Sequence, residues 1–274
     1  MPIRILSRET IKALKRIHNS MTPEEIAEAS SRSFQGADIS TCNCGGLEDA
    51  MNSRAREAAR GLRKGEKGDL IVEMGCGDGS KVRALHADGY NAVGVDVKRY
   101  NGCVLPTGRF FIGSHERFPR FIQPGSVKLL LSFYSLTFAK LEAAADEMHR
   151  VLAEDGKIVL ALHHPDYTEN DLLLRIKRIK NGTIEGFDAC TRENAAEAVR
   201  TGYMATKLYA NVFSSEDAIR QFFKQRGFNV LHVKTMKAEV AESVKKGPMG
   251  IAYTVILEKL KTGAAKKSAK TIKQ

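Results

Sequence analysis

The sequence predicts an α/β protein: a seven-stranded, mostly parallel, doubly wound sheet with an antiparallel last strand, preceded by an N-terminal helical extension. From residue 69 onward, short apolar segments alternate with segments that have helical spacing of apolar residues. A glycine-rich segment, residues 73–79, directly follows the first apolar segment. The last two apolar segments are joined by residues 237–247, which leave no clear room for a crossover helix. The last strand is therefore expected to run antiparallel.

The composition is that of a globular protein with an excess of positive charge. The 274 residues are 43% apolar and 27% charged, and the formal net charge is +11. Residues 261–274 hold five lysines and no acid, so the rest of the chain carries the other six charges. No apolar run approaches the roughly 18 residues of a membrane span, and the N-terminus lacks the apolar core of a secretory signal. We therefore expect a cytoplasmic protein without a membrane partner.

Three regions are predicted along the chain. Residues 1–66 form the helical extension, residues 67–260 the α/β domain, and residues 261–274 a basic, disordered tail. Within the α/β domain, residues 165–211 are predicted to be a polar, partly helical insertion over the sheet. The helices expected in the extension cover residues 8–18, begin at Thr22, and cover residues 47–62.

The elements of the α/β domain follow from apolar runs and capping signals. Strands are predicted over residues 70–72, 92–96, 109–112, 127–133, 157–162, 228–235 and 251–258. Helices are predicted over residues 80–88, 138–152 and 214–227. A turn over residues 154–156 is expected to lead into the fifth strand. Short apolar strands that alternate with helices indicate a parallel sheet covered on both faces.

The segment Glu73-Met-Gly-Cys-Gly-Asp-Gly79 ends the first strand and leads into a helix, an arrangement suited to a nucleotide. Glycines permit positive φ and remove side chains, so the backbone can pass close to a ligand. Exposed N–H groups at the helix start can hold a negatively polarised group. A dinucleotide fold requires its last glycine where Ser80 stands. This spacing disfavours an NAD-linked dehydrogenase.

Residues 73–79 resemble motif I, [DE]-x-G-x-G-x-G, of the class I S-adenosylmethionine (SAM)-dependent methyltransferases, and the chain is similar to their methyltransferase type 11 group. The resemblance covers about residues 69–162, with a continuation to 260. Residues 93–96 are similar to the end of that family's second strand, whose acid binds the ribose hydroxyls. Residues 148–160 are similar to its RVLxPGG helix, turn and strand. The resemblance implies an enzyme that transfers a methyl group from S-adenosyl-L-methionine.

The resemblance also implies a set of cofactor-binding residues. They are Glu73, Gly75, Cys76, Gly77, Gly79, Asp96, Ser114, His115, Ser132 and Phe133. Asp96 lies 19 residues after Gly77, an interval that fits one helix and one strand. The acid or Asn that reads the adenine amino group in related sequences is missing here, so Ser114 replaces it or Glu116 serves from two positions on. Cys76 is expected to be a small filler within the loop.

The sequence assigns no catalytic residue, but it offers three candidates. Methyl transfer is an in-line displacement for which the protein mainly positions the acceptor and excludes water. A base is needed only where the acceptor must first lose a proton. Tyr134, His163 and His164 follow strands at the edge where open α/β sheets bind ligands. The alternatives are that Tyr134 closes the core and that the two histidines make local hydrogen bonds.

No metal site is predicted. Five cysteines are an odd number, which fits a reducing compartment without a disulfide framework. Cys42 and Cys44 form a C-x-C pair, but no further ligands accompany it at the spacing of a zinc site.

Several functions remain open for the acceptor side. A small-molecule acceptor is favoured, with the N-terminal helices and the insertion closing over the site. An RNA methyltransferase would use the basic surface and tail for phosphate contacts. A third alternative is a SAM-fold binding module without catalysis, which the intact Gly75, Gly77 and Asp96 disfavour. The sequence predicts neither the accepting atom nor the oligomeric state.

Overall fold

The computed structural model describes residues 45–99, 102–168, 211–238 and 248–260. The first two predicted helices, the Cys42/Cys44 pair, most of the insertion and the basic tail lie outside these residues. The division into extension, α/β domain and tail stays a prediction. The described residues fall into two compact units. One holds residues 45–162, 215–234 and 253–260, and the other holds residues 163–168, 211–214, 235–238 and 248–252.

Seven strands form one sheet in the order β3-β2-β1-β4-β5-β7-β6. Their bounds are Leu70–Met74 (β1), Asn91–Asp96 (β2), Phe110–Ile112 (β3), Val127–Phe133 (β4), Leu152–His163 (β5), Phe228–Ala238 (β6) and Met249–Lys259 (β7). The first five strands pair in parallel. The strand order reverses between β1 and β4, and such switch points are where open α/β sheets bind ligands at the carboxyl ends of their strands.

The last strand runs antiparallel to its neighbour β6, as the sequence predicts. The N–H of Leu260, just after β7, donates to the carbonyl of Gly227, just before β6, at 2.8 Å. Further along, the Thr254 hydroxyl donates to the carbonyl of Lys234 at 3.3 Å. The pairing therefore moves backwards along β7 as it moves forwards along β6.

The strands are accompanied by the helices Gly45–Ala59 (α1), Ser80–Ala87 (α2), Leu141–Val151 (α3) and Glu216–Gln225 (α4). Each buries apolar residues at helical spacing. Met51, Ala55 and Ala59 do so on α1, and α1 packs against β4 and α2. The left-handed Gly89 (φ 89°) follows α2, as predicted for a helix end. None of the described helices is long and apolar enough to cross a membrane.

Most predicted elements begin and end within a few residues of the observed ones, and two differences concern how an element begins. The predicted turn at residues 154–156 is wrong, because β5 already begins at Leu152 and includes these residues. Leu152 pairs with Val127, and a register shift follows before Leu129. A Cβ on Gly156 would lie 2.7 Å from the Val127 carbonyl oxygen, so only glycine fits this approach. The helix predicted over residues 138–152 is interrupted, since a 3₁₀ turn at Leu136–Phe138 precedes α3.

Candidate functional site

The glycine loop connects β1 to α2 with three left-handed glycines. The φ angles of Gly75, Gly77 and Gly79 are 68°, 54° and 79°. A Cβ on Gly75 would lie 2.2 Å from the Ser135 Cβ, and one on Gly79 would lie 2.3 Å from the Leu105 Cγ. At Gly77, by contrast, no described atom lies within 4 Å of that position. The loop is therefore packed at both ends and open at its centre, where a ligand can approach the backbone.

Asp96 ends β2 and is bonded directly to the glycine loop. Its Oδ2 accepts the Gly77 N–H at 2.9 Å, and its Oδ1 accepts the Val97 N–H at 2.7 Å. Burial raises the pKa of Asp96 above its ordinary value, although hydrogen bonds from these backbone N–H groups oppose the shift. A carboxylate has room for further donors beyond these two. Asp96 can therefore accept hydrogen bonds from ligand hydroxyls while it fixes the loop.

Cys76 packs beneath the loop against β2. A Cβ on Gly94 would lie 2.6 Å from its Sγ, so the thiol fills space that only glycine leaves. Burial, together with the charges of Glu73 and Asp96, raises the pKa of Cys76 far above its ordinary value. The thiol is therefore neutral and a poor nucleophile.

A buried polar network lies under Gly75. The His115 Nε2 is 3.0 Å from the Ser135 Oγ, which donates to the Met74 carbonyl at 2.8 Å and lies 2.9 Å from the Ser132 Oγ. Because Ser135 gives its one hydrogen to Met74, Nε2 of His115 must donate, which leaves Nδ1 as an acceptor. Burial lowers the pKa of His115 to about 4, so the ring is neutral near pH 7. Sequence reasoning missed Ser135.

The residues after β3 are engaged with one another. Partial burial raises the pKa of Glu116, but hydrogen bonds from the Lys140 N–H (2.8 Å) and the Ser114 hydroxyl prevail and lower it. Apolar side chains are exposed nearby at the ends of β2 and β3, with Val97 47% and Ile112 60% exposed. Val97 and Ile112 belong to no sequence motif. Only their positions, directly after Asp96 and at the end of β3, could have indicated that they lie beside a ligand.

A charged pair joins β1 to the first turn of α2. The Glu73 side chain is only 2% exposed, and its Oε1 lies 4.0 Å from the Nζ of Lys81. The same Nζ lies 5.8 Å from the ring centroid of Phe133, which ends β4. Ser132 and Phe133 are both buried. The predicted residues of β1 and β4 therefore meet at the switch point, together with Lys81, which the sequence did not single out.

Tyr134 adopts an uncommon backbone conformation. Its φ is 60°, the one positive value of a non-glycine residue in the described ranges. Its N–H donates to the carbonyl of Ala161 at 2.8 Å, so β5 holds this conformation. Strained residues of this kind cluster at functional sites.

His163 and His164 belong to the other compact unit. His163 is the last residue of β5. The Nδ1 of His164 accepts the Asp166 N–H at 3.1 Å and lies 3.7 Å from that residue's carboxylate. His164 thus makes a local hydrogen bond, which is the alternative that the sequence left open beside a catalytic role. Across the residues that the structure describes, no three His, Cys, Asp or Glu side chains are grouped to hold a metal ion.

Comparisons with known proteins find methyltransferases that share this part of the sequence and this fold. Residues 72–160 match the family model described as a methyltransferase domain. A SAM-dependent methyltransferase from Mesorhizobium loti has a TM-score of 0.50 at 18% identity, over 77% of this chain and 99% of that one. The chain therefore contains a methyltransferase domain over residues 72–160. A second methyltransferase of the same fold, the geranyl diphosphate C-methyltransferase of Streptomyces coelicolor, was solved with Mg²⁺, geranyl diphosphate and S-adenosyl-L-homocysteine. It has a TM-score of 0.51 at 12% identity over 78% of each chain.

No curated protein matches the chain. The matched residues include the glycine loop, Asp96, His115 and Tyr134. His163 and His164 lie beyond them.

Proposed function

We propose that this methyltransferase holds SAM across the carboxyl ends of β1, β2, β3 and β4. The observation that carries the proposal is the hydrogen bond from Gly77 to Asp96, beside an open approach to the Gly77 backbone. Asp96 binds the ribose hydroxyls, and the loop from Gly75 to Gly79 lies under the ligand. These features fit SAM, because a ribose offers two donors to one carboxylate and the loop leaves no side chain in its way.

The remaining predicted residues take the two ends of SAM in this proposal. Ser114 and His115 lie on the adenine side, after β3, next to the exposed apolar side chains of Val97 and Ile112. Glu73, Ser132 and Phe133 lie on the methionine side, at β1 and β4. Cys76 contributes its backbone, because its buried thiol is turned to Gly94.

The acceptor is proposed to be a small molecule. Bound SAM supplies an activated methyl carbon on its sulfonium, so the protein's part is alignment and exclusion of water. Phe133 is buried and Tyr134 is half-buried and held in its strained conformation by Ala161, which suits both tasks. The proposal is supported by the geranyl diphosphate C-methyltransferase, which has the same fold and was solved with geranyl diphosphate.

An RNA acceptor is the second candidate, favoured by the net charge of +11 and by the five lysines of residues 261–274. Lysines near a site supply salt-dependent contacts to phosphates. The two candidates differ in the fraction of a cell extract that receives the methyl group.

Calorimetry and labelled SAM test the proposal. SAM and S-adenosylhomocysteine are expected to bind and NADH is not, and Asp96→Ala is expected to weaken SAM binding at least about tenfold through the lost hydroxyl contacts. Binding of NADH alone would exclude the proposal, and unchanged affinity in Asp96→Ala would exclude the site. Labelled SAM is then incubated with extract separated into RNA, protein and small molecules. Label in the RNA fraction would replace the small-molecule acceptor by RNA.

A further inference from the structure

The first turn of α2 contains a cation where helices disfavour one. Lys81 is the second residue of α2, and that turn holds no acid. The N-terminus of a helix carries partial positive charge, so an anion is stabilised there and a lysine is not. The Lys81 side chain is nevertheless only 19% exposed. Something other than helix stability must account for this residue.

The contacts of Lys81 only partly satisfy its ammonium. Its Nζ lies 4.0 Å from Oε1 of Glu73, which is an ion pair but longer than a hydrogen bond. On another side it lies 5.8 Å from the Phe133 ring. No described residue accepts a hydrogen bond from Nζ, although an ammonium has three donors. Lys81 is thus held in place by Glu73 with its donors available to an anion.

The sheet topology indicates which anion lies here. The proposed ribose site is Asp96 on β2, and the proposed adenine side is β3. The other end of SAM then passes β1 toward β4, because the strands are ordered β3-β2-β1-β4. Of the two residues beside Lys81, Glu73 is the last but one of β1 and Phe133 ends β4. The methionine end of SAM is an α-amino acid, so it brings a carboxylate to this position.

We propose that Lys81 binds the α-carboxylate of the methionine moiety of SAM, with Glu73 as the residue that positions Lys81. The inference rests on the proposed function and adds a binding residue to it. A lysine that served only to neutralise buried Glu73 would act on all ligands equally.

Decarboxylated SAM separates these roles, because it keeps the adenosine, the sulfonium and the amine but lacks the carboxylate. Affinities of SAM and decarboxylated SAM are measured by calorimetry for the wild type, Lys81→Met and Arg83→Met. Arg83 is the matched control, an exposed cation on the same helix. Lys81→Met is expected to weaken SAM at least about tenfold, as for a charge-assisted hydrogen bond. The affinity for decarboxylated SAM is expected to stay within about twofold in the same variant.

S-adenosylhomocysteine and a double variant complete the test. S-adenosylhomocysteine keeps the carboxylate but lacks the sulfonium charge, so Lys81→Met is expected to weaken it as much as SAM. Glu73→Gln/Lys81→Met removes both charges of the pair and covers the case in which Lys81→Met alone folds poorly. The double variant is expected to lose affinity for SAM, but not for decarboxylated SAM, to the same extent. An equal loss for SAM and decarboxylated SAM, or no loss for either, would overturn the inference. If the wild type binds neither SAM nor S-adenosylhomocysteine, the proposed function itself fails.

Discussion

Gly75 is the most tightly constrained residue of the cofactor loop, and Gly77 beside it is the natural comparison. Both have positive φ, but only Gly75 has Ser135 2.2 Å from the position of a Cβ. Gly75→Ala is expected to lower the free energy of unfolding by about 3 kcal/mol or more through overpacking and strain. Gly77→Ala meets open space and is expected to cost only about 1 kcal/mol. Urea unfolding of the two variants measures the difference.

Removing the obstructing side chain is the control for Gly75. In Gly75→Ala/Ser135→Gly the new methyl group no longer meets Ser135, so Gly75→Ala is expected to cost less stability when it is added to Ser135→Gly than when it is added to the wild type. If Gly75→Ala and Gly77→Ala lower the free energy of unfolding equally, the prediction is wrong, because the close contact with Ser135 then adds no destabilisation.

His115 links the site to pH. Burial lowers its pKa to about 4, against 6.5 for an ordinary histidine. As pH falls below 6.5, the unfolded chain takes up a proton that folded His115 does not, so stability is lost down to about pH 4. Between pH 7 and pH 5 this loss is expected to be about 2 kcal/mol. The stability that is lost between pH 7 and pH 5 should be larger by that amount in the wild type than in His115→Gln, because the other titratable groups contribute to both proteins alike. Identical losses in the two proteins would mean that His115 is protonated as readily in the folded state as in the unfolded state.

Local sequence predicts the residues of the site that belong to one continuous motif. The loop glycines follow from the spacing of residues 73–79, and Asp96 follows from its distance to them. Ser135 and Leu105 were missed, because their contacts with Gly75 and Gly79 join segments that are distant in the chain. Lys81 did have a local signal, a lysine in a first turn without an acid.

Helix α4 shows what a capping signal can and cannot decide at the scale of an element. Two adjacent serines precede the helix, and either could cap it. Ser215 is the cap, since its side chain accepts the Ala218 N–H at 3.1 Å from an extended backbone. Ser215→Ala is expected to lower the free energy of unfolding by about 1 kcal/mol. Ser214→Ala is the control and is expected to change it by less than about 0.5 kcal/mol. A larger loss for Ser214→Ala would contradict the assignment of the cap.

Strand β5 shows where local patterns fail. Its buried part, residues 158–162, is an uninterrupted apolar run and was predicted almost to the residue. Residues 154–156 have the acids and glycine typical of a turn, yet they are extended. Pairing of Leu152 with Val127 brings this segment against β4, and that contact is made across 25 residues of chain. The apolar pattern thus locates the strand, whereas its first residues depend on a distant partner.

At the scale of the whole molecule, the excess charge is less available to nucleic acid than its sum indicates. Arg99 bonds the Leu105 carbonyl and lies over the Phe110 ring at 5.2 Å, and Arg109 bonds Asn91 at 2.7 Å. These cations stabilise the ends of β2 and β3. The lysines of residues 261–274 are therefore the stronger basis for any RNA binding.

Removing residues 261–274 distinguishes the two acceptor classes. The proposed SAM site is built from residues 73–134, so the truncated protein is expected to bind SAM with affinity within about twofold of the full chain. With a small-molecule acceptor, methyl transfer is also expected to be unchanged.

Any RNA binding by the full chain should then be weak, lose affinity steeply between low and physiological salt, and disappear on truncation, because it rests on released counterions alone. Calorimetry with SAM, filter binding of total RNA at two salt concentrations, and labelled methyl transfer give the three measurements. Methylation of RNA that falls with truncation would instead make the lysines part of the acceptor site.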